Sequence, residues 1–279
     1  MLRARVVTAL ILLGGFLAML FLLPFFGWLL LVSVVAGISA WEWGGLVKMS
    51  PSGRGSYALA SMVLCGVLGL FVFDIDTGAI RQETFLSAIY ILAGFFWLVA
   101  VPFWLKEKWP TSIRIPGLLA GGVVLIPACL ALMQLRAFAP FFLLAAMAAV
   151  WVADISAYVC GRAFGRHKLA RYISPGKTWE GAAGAVAGVL IYGMAVAWMA
   201  GRVPSTSGVW FLFLTALIVL TVVSILGDLF ESLIKRQAGV KDSGGILPGH
   251  GGALDRIDSL TSTLPLVGLA VLLWEGQMP

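Results

Sequence analysis

Apolar residues run along this chain in long stretches, broken at intervals by charge, glycine or proline. Each stretch is close to the roughly 20 residues that a helix needs to cross about 30 Å of hydrocarbon. The stretches are continuously apolar, whereas the strands of a transmembrane barrel alternate over segments of about 10 residues, so they predict helices. Nine spans are predicted, near residues 6–23, 25–47, 57–73, 84–105, 117–135, 141–160, 181–200, 209–234 and 256–274. The expected fold is all-α: a polytopic membrane helical bundle of about nine transmembrane helices. Pro24 makes the first two spans a tight hairpin. Glu42 falls inside the second span between Trp41 and Trp43, and is placed near the membrane interface. Nine spans leave little chain for connections, so residues 1–279 are read as a single membrane domain, with N-terminal spans in 1–140 and two Gly-rich loops in 141–279.

Composition supports this pattern, since 61% of the 279 residues are hydrophobic and 11% are charged. Ordinary globular chains are about half apolar and about a quarter charged, so a soluble domain is excluded. Cys65, Cys129 and Cys160 lie far apart, without the spacing of a disulfide framework or a zinc site. Arg3 and Arg5 ahead of an apolar stretch resemble the start of a signal peptide, but no small-residue cleavage site follows, so an uncleaved first span is expected.

Charge orients the bundle. Assigning the connections alternately to the two sides puts 16 of the 19 Lys and Arg residues on one side, leaving only Arg81, Arg136 and Arg202 on the other. Positive residues accumulate on the cytoplasmic side. The N-terminus is therefore expected in the cytoplasm and the C-terminus outside. A net charge of +6 makes the cytoplasmic face basic, which suits anionic headgroups and nucleotide phosphates, although topology signalling alone accounts for most of these charges.

Several polar groups stand where hydrocarbon would penalise them. Asp154 lies about 9 Å from the predicted cytoplasmic end of its helix, with Tyr158 and Arg162 following on the same face. Such a carboxylate faces a polar cavity or a partner. Asp228 lies about 27 Å along its helix from Trp210, at the inner boundary. Asp228, Ser232 and Lys235 share one helical face, with Glu231 beside it and Arg236 at the helix end, where basic residues also complement the dipole.

The loop from Lys241 to Asp258 holds five glycines, which bring backbone amides close to a guest such as phosphate. Asp255 and Asp258, at i and i+3, have the spacing to converge on Mg²⁺, or Asp255 caps the helix. His250 between glycines is a base, a phosphate donor or a loop residue, with donor preferred. The other loop reads Ser174-Pro-Gly-Lys177-Thr178-Trp-Glu180-Gly181. It is not a Walker A loop: Arg171 stands where a glycine is needed and no hydrophobic strand precedes it. A lysine and two hydroxyls ahead of a helix N-terminus still grip phosphate. Gly181, Gly184 and Gly188 behind them suit close helix packing at least as well as ligand contact. Together these parts point to metal-assisted phosphoryl or nucleotidyl transfer at the cytoplasmic interface. The competing class is an ion- or proton-coupled transporter, which places polar groups near the midplane with access from both sides.

These motifs resemble the phosphatidate cytidylyltransferase family, also called CDP-diacylglycerol synthases. That family's signature S-x-x-K-R-x4-K-D-x-G, then L-P-x-H-G-G-x-x-D-R-x-D, is met by Ser232, Lys235, Arg236, Lys241, Asp242, Gly244, Leu247, Pro248, His250, Gly251, Gly252, Asp255, Arg256 and Asp258. A second block is matched through Asp154, Ala157, Tyr158, Gly161, Arg162, Ser174, Pro175, Lys177, Thr178, Glu180 and Gly181. In the N-terminal half only Trp41-Glu42-Trp43-Gly44 resembles the family. Gly176 stands where the family often has a lysine, and Ala253 where a larger aliphatic is usual.

The resemblance implies that CTP and phosphatidate give CDP-diacylglycerol and pyrophosphate, with Mg²⁺ required and a second cation left open. It implies catalytic roles for Asp228, Ser232, Lys235, Asp255 and Asp258, with Asp228 and Asp255 on the metal. Substrate binding falls to Ser174, Lys177, Thr178, Arg236, Lys241, His250, Arg256 and Asp154. It further implies an enzyme of phospholipid biosynthesis in the bacterial inner membrane, its active site facing the cytoplasm, surrounded by membrane lipids and without a nucleic-acid partner. A homodimer is implied as well, and small-residue faces such as Gly117-x-x-x-Gly121 permit packing within or between subunits. A CTP-dependent lipid kinase, attacking the terminal phosphate, is the enzymatic alternative.

Overall fold

The computed structural model describes residues 13–110, 114–201, 206–245 and 251–275. Pro24, extended at φ −62° and ψ 161°, separates the short helix α1 (Leu13–Leu22) from α2 (Phe25–Leu46). Ser50 then caps α3 (Pro51–Val72) by accepting the Gly53 amide at 3.2 Å. α4 (Glu83–Glu107) is one apolar helix with a π-helical stretch at Phe96–Ala100. Next come α5 (Arg114–Phe138) and α6 (Pro140–Phe164). An antiparallel hairpin of β1 (Lys168–Ala170) and β2 (Ser174–Thr178) leads into α7 (Trp179–Met199), and α8 (Ser207–Ala238) and α9 (Leu254–Glu275) complete the bundle. Eight of these helices are long and apolar enough to cross a membrane, and α1 is a shorter apolar helix at the first predicted span.

The predicted spans from 25 onward each meet one helix, four of the eight longer than predicted by a turn or more. The hairpin was not expected, because Ser174-Pro-Gly-Lys-Thr has no strand-like apolar alternation. It is held instead by pairing of Lys168 with Thr178 and of Ala170 with Ser174. Apart from isolated bridges at Phe73–Ile80 and at Gly251, the short element that carries Lys177 is the β-structure among the described residues.

α2, α5 and α9 are the most buried spans, while α3, α7 and α8 show most of their apolar surface to the outside. Ile191, Trp198, Phe211, Leu212, Leu59 and Val67 lie on that outer surface, which is costly in water and favourable against lipid tails. Gly121 lets α5 approach α2 and α3, since an added Cβ would lie 2.6 Å from the Tyr57 hydroxyl. Trp43 Nε1 donates to the Gly117 carbonyl at 2.8 Å and Tyr57 to that of Leu118 at 3.0 Å. This small-residue face is thus filled within the chain.

Contacts at the helix ends define two sides. One side gathers the end of α4, the hairpin, the end of α8 and the start of α9: Gln237 donates to the Trp109 carbonyl at 2.9 Å and Arg236 to that of Ile173 at 3.4 Å. The opposite side carries the α3–α4 turn, where the Thr77 backbone amide, the Thr77 hydroxyl and Arg81 hold the Asp74 carboxyl down at about 2. The predicted site residues that are described lie on the first side.

Candidate active site

The apolar flank of α8 fixes its polar flank. Phe230 is buried in an aromatic cluster, its ring centroid 5.4 Å from Trp104, 5.7 Å from Phe96 and Trp97, and 6.3 Å from Trp43. With Phe230, Leu233 and Ile234 packed inward, the face of Asp228, Ser232 and Lys235 turns toward α9 and the hairpin. Gly227 lets α9 come close: a Cβ there would lie 2.9 Å from the Asp258 carbonyl oxygen. Ser262 donates across the same crossing to the Val223 carbonyl at 2.9 Å.

Five of the predicted residues, Asp154, Ser174, Lys177, Thr178 and Asp228, line one open cavity of about 420 Å³ between α6, α7, α8 and the hairpin. Tyr158 and Arg162 continue its wall, joined by a 2.9 Å hydrogen bond from the Arg162 guanidinium to the Tyr158 oxygen, as the polar stripe on α6 predicted. Lys177 Nζ reaches Asp228 Oδ2 at 2.6 Å, and Asp228 Oδ1 accepts the Ser232 hydroxyl at 3.2 Å. Asp228 and Asp258 are both close enough to act electrostatically on Asp154.

Thr178 is buried and caps α7, accepting the Gly181 amide at 3.1 Å, so its hydroxyl is committed to the helix start and its position fixes Lys177 beside it. The three glycines behind it divide their roles. A side chain at Gly184 would run into Cys160 and one at Gly188 into Ser156, so both serve α6–α7 packing, whereas Gly181 packs against the Ala157 carbonyl and also lines the cavity.

A second cluster backs the first. Lys235 Nζ lies 2.6 Å from Asp255 Oδ1 and 3.2 Å from Glu231 Oε2, all three nearly buried. Asp255 Oδ2 also accepts the amides of Ser243 at 2.9 Å and Gly252 at 2.8 Å. Asp255 is thus an anchor of the Gly-rich loop and does not cap α9. Arg236 turns to the hairpin through Ile173, while Lys241 and Arg256 are exposed at the same end. His250 lies outside the described residues.

The residue that the sequence reading underestimated is Glu42. It is 1% exposed at the end of α2 and accepts the amides of Ala253 at 3.0 Å and Leu254 at 2.8 Å, with the Ser243 hydroxyl at 3.2 Å. The signal available was a carboxylate inside an apolar span, which was placed at the interface when it is in fact enclosed by protein.

Could these residues hold a divalent metal? Asp154 is within electrostatic reach of Asp228, Asp258 and Lys177, and Glu231 Oε1 is buried without a hydrogen-bond partner. No three His, Cys, Asp or Glu side chains among the described residues gather into a ready-made chelate. One or two carboxylates, such as Asp228, would be enough for Mg²⁺, which completes its shell with water and substrate phosphate.

Comparison with known proteins adds a family. A sequence model of the cytidylyltransferase family matches residues 3–274. A phosphatidate cytidylyltransferase of Pseudomonas aeruginosa is 39% identical over 284 residues, covering 99% of this chain and 98% of that protein. One from Haemophilus influenzae is 34% identical over 289 residues, covering 95% and 96%. One from Staphylococcus epidermidis is 46% identical over 131 residues, 47% of this chain.

Proposed function

Because the chain belongs to the cytidylyltransferase family, we propose that its cavity joins CTP to phosphatidate, giving CDP-diacylglycerol and pyrophosphate. The observation that carries the assignment to this cavity is the Lys177–Asp228 contact of 2.6 Å at its wall, with Ser174 and Asp154 beside it. A phosphatidate oxygen attacks the α-phosphorus of CTP, a new P–O–P bridge forms, and the bond to the β-phosphate oxygen breaks, releasing pyrophosphate. Two anions must meet, so catalysis rests on positioning and charge neutralisation, and no protein nucleophile is needed.

Lys177 is placed to leave Asp228 for substrate phosphate, with Ser174 and Arg162 extending the same grip. Arg236, Lys241 and Arg256 supply positive potential at the same end, and His250 is assigned to phosphate as a donor. Asp228 is assigned as the first Mg²⁺ ligand. The family resemblance pairs Asp255 with it, but the Asp255 oxygens already accept from Lys235, Ser243 and Gly252; Asp258, which acts on the same carboxylates, is the stronger second ligand in this reading. Mg²⁺ bound there supplies charge neutralisation of the triphosphate.

The charge asymmetry supports a cytoplasmic setting for this end, and the bacterial relatives support a bacterial inner membrane. A homodimer rests on family resemblance, and light scattering of the detergent-solubilised protein tests it. The clustering of polar groups at one end argues against a transport path through the midplane.

The test is product analysis of purified protein with Mg²⁺, labelled CTP and phosphatidate. CDP-diacylglycerol and pyrophosphate, lost with EDTA and in a folded Asp228→Asn variant, is the expected result. A phosphorylated lipid with CDP would identify a kinase, and full activity of Asp228→Asn would remove Asp228 from the site.

A further inference from the structure

We infer that Glu42 on α2 is a positioning residue for this reaction, acting through the Gly-rich loop and not on substrate. The inference rests on the reaction assigned above. A carboxylate enclosed by protein needs donors, and all the hydrogen bonds described for Glu42 come from one loop: the Ser243 hydroxyl at 3.2 Å and the Ala253 and Leu254 amides at 3.0 and 2.8 Å. The two amides are at the start of α9, whose unpaired N–H groups and positive dipole end favour a negative acceptor. Glu42 therefore caps α9 from another helix.

The loop is shaped around this side chain. A Cβ at Gly252 would lie 2.6 Å from Glu42 Oε2, and one at Gly244 would lie 2.8 Å from Glu42 Cδ. All three nearest atoms at Gly244 belong to Glu42, and neither glycine has a positive φ. Glycine is needed at 244 for close approach, not for backbone conformation.

The consequence reaches the site through Ser243, whose hydroxyl goes to Glu42 while its amide goes to Asp255. Asp255 in turn holds Lys235, on the α8 face that carries Ser232 and Asp228. Two carboxylates from helices far apart in sequence thus clamp the same loop, and the register of α9, hence of Asp255 and Asp258, depends on both.

Reciprocal substitution tests this. Gly244→Ala should lower kcat/KM for CTP at least tenfold, and Glu42→Asp, one methylene shorter, should restore part of that loss in the double variant. Glu42→Gln, which turns an amide NH₂ toward donors, should lower kcat/KM at least thirtyfold. In that variant, hydrogen exchange in the 239–255 segment should speed up at least tenfold while exchange in the helices of the opposite end is unchanged. Wild-type kinetics in Glu42→Gln, unchanged exchange in 239–255, or exchange that rises throughout the protein would each overturn the inference. Failure of the wild type to form CDP-diacylglycerol would sink the assigned reaction instead, and the exchange measurement would still decide whether Glu42 holds the loop.

Discussion

Lys177 Nζ sits 2.6 Å from Asp228 Oδ2, pinning the end of a two-stranded hairpin to the first residue of the polar face of α8. Both side chains keep part of their surface open, 23% for Lys177 and 32% for Asp228. A pair so placed contributes little to stability, about 0–1 kcal/mol, and is easily exchanged for substrate phosphate on one partner and metal on the other.

Replacing Lys177 by methionine should therefore leave the fold intact and lower kcat/KM by about 10²–10³, the scale of losing one preorganised charge at a transition state. Lys177→Arg should retain more. Steady-state kinetics beside a thermal melt separates the two effects; unchanged kinetics would move phosphate binding to the exposed basic residues of the same end.

Lys235 should behave differently. Its side chain is 13% exposed, and the ammonium lies between the carboxylates of Glu231, 4% exposed, and Asp255, 11% exposed. Lys235→Met takes the cation from two buried carboxylates, of which only Asp255 keeps described donors, a loss of about 3–5 kcal/mol. The expected result is a clear fall in the melting temperature together with lost activity, whereas a stable but inactive protein would make Lys235 purely catalytic.

Gly184→Leu should weaken the α6–α7 contact, because the added side chain runs into Cys160. Overpacking of this kind costs about 1–3 kcal/mol. The hairpin joins these two helices, so activity should fall with stability. A variant of normal stability that had lost only CTP affinity would show instead that Gly184 meets ligand.

Gly176 offers the opposite case. It is exposed, lines the cavity, and has no atom within 4 Å of an added Cβ. Gly176→Lys should be accommodated without loss of stability and should lower KM for one of the phosphate-bearing substrates about twofold to fivefold, since an exposed charge contributes about 0.5–1 kcal/mol. A raised KM would mean that the open surface is needed by the substrate itself.

Much of the molecule was legible before folding. Spans appear in the chain because hydrocarbon demands about 20 apolar residues per crossing, and that demand is local. The same holds for the faces: i, i+4 and i+7 spacing put Asp228, Ser232 and Lys235 together on any helix, and Asp154, Tyr158 and Arg162 on another. What spacing could not supply was partnership between elements. Lys177 with Asp228, Lys235 with Asp255, and Glu42 with the start of α9 join residues far apart in sequence. Asp255 was expected on metal, yet its oxygens meet an ammonium and two amides, because the loop closes on it. Glu42 looked like an interfacial residue because a carboxylate in an apolar run has two remedies, the nearby water or donors from elsewhere in the protein. Periodicity reports the cost of burying that charge. Only the packing of α2 against the Gly244 and Gly252 loop reveals which remedy was used, since helix crossings and loop closure depend on every span at once.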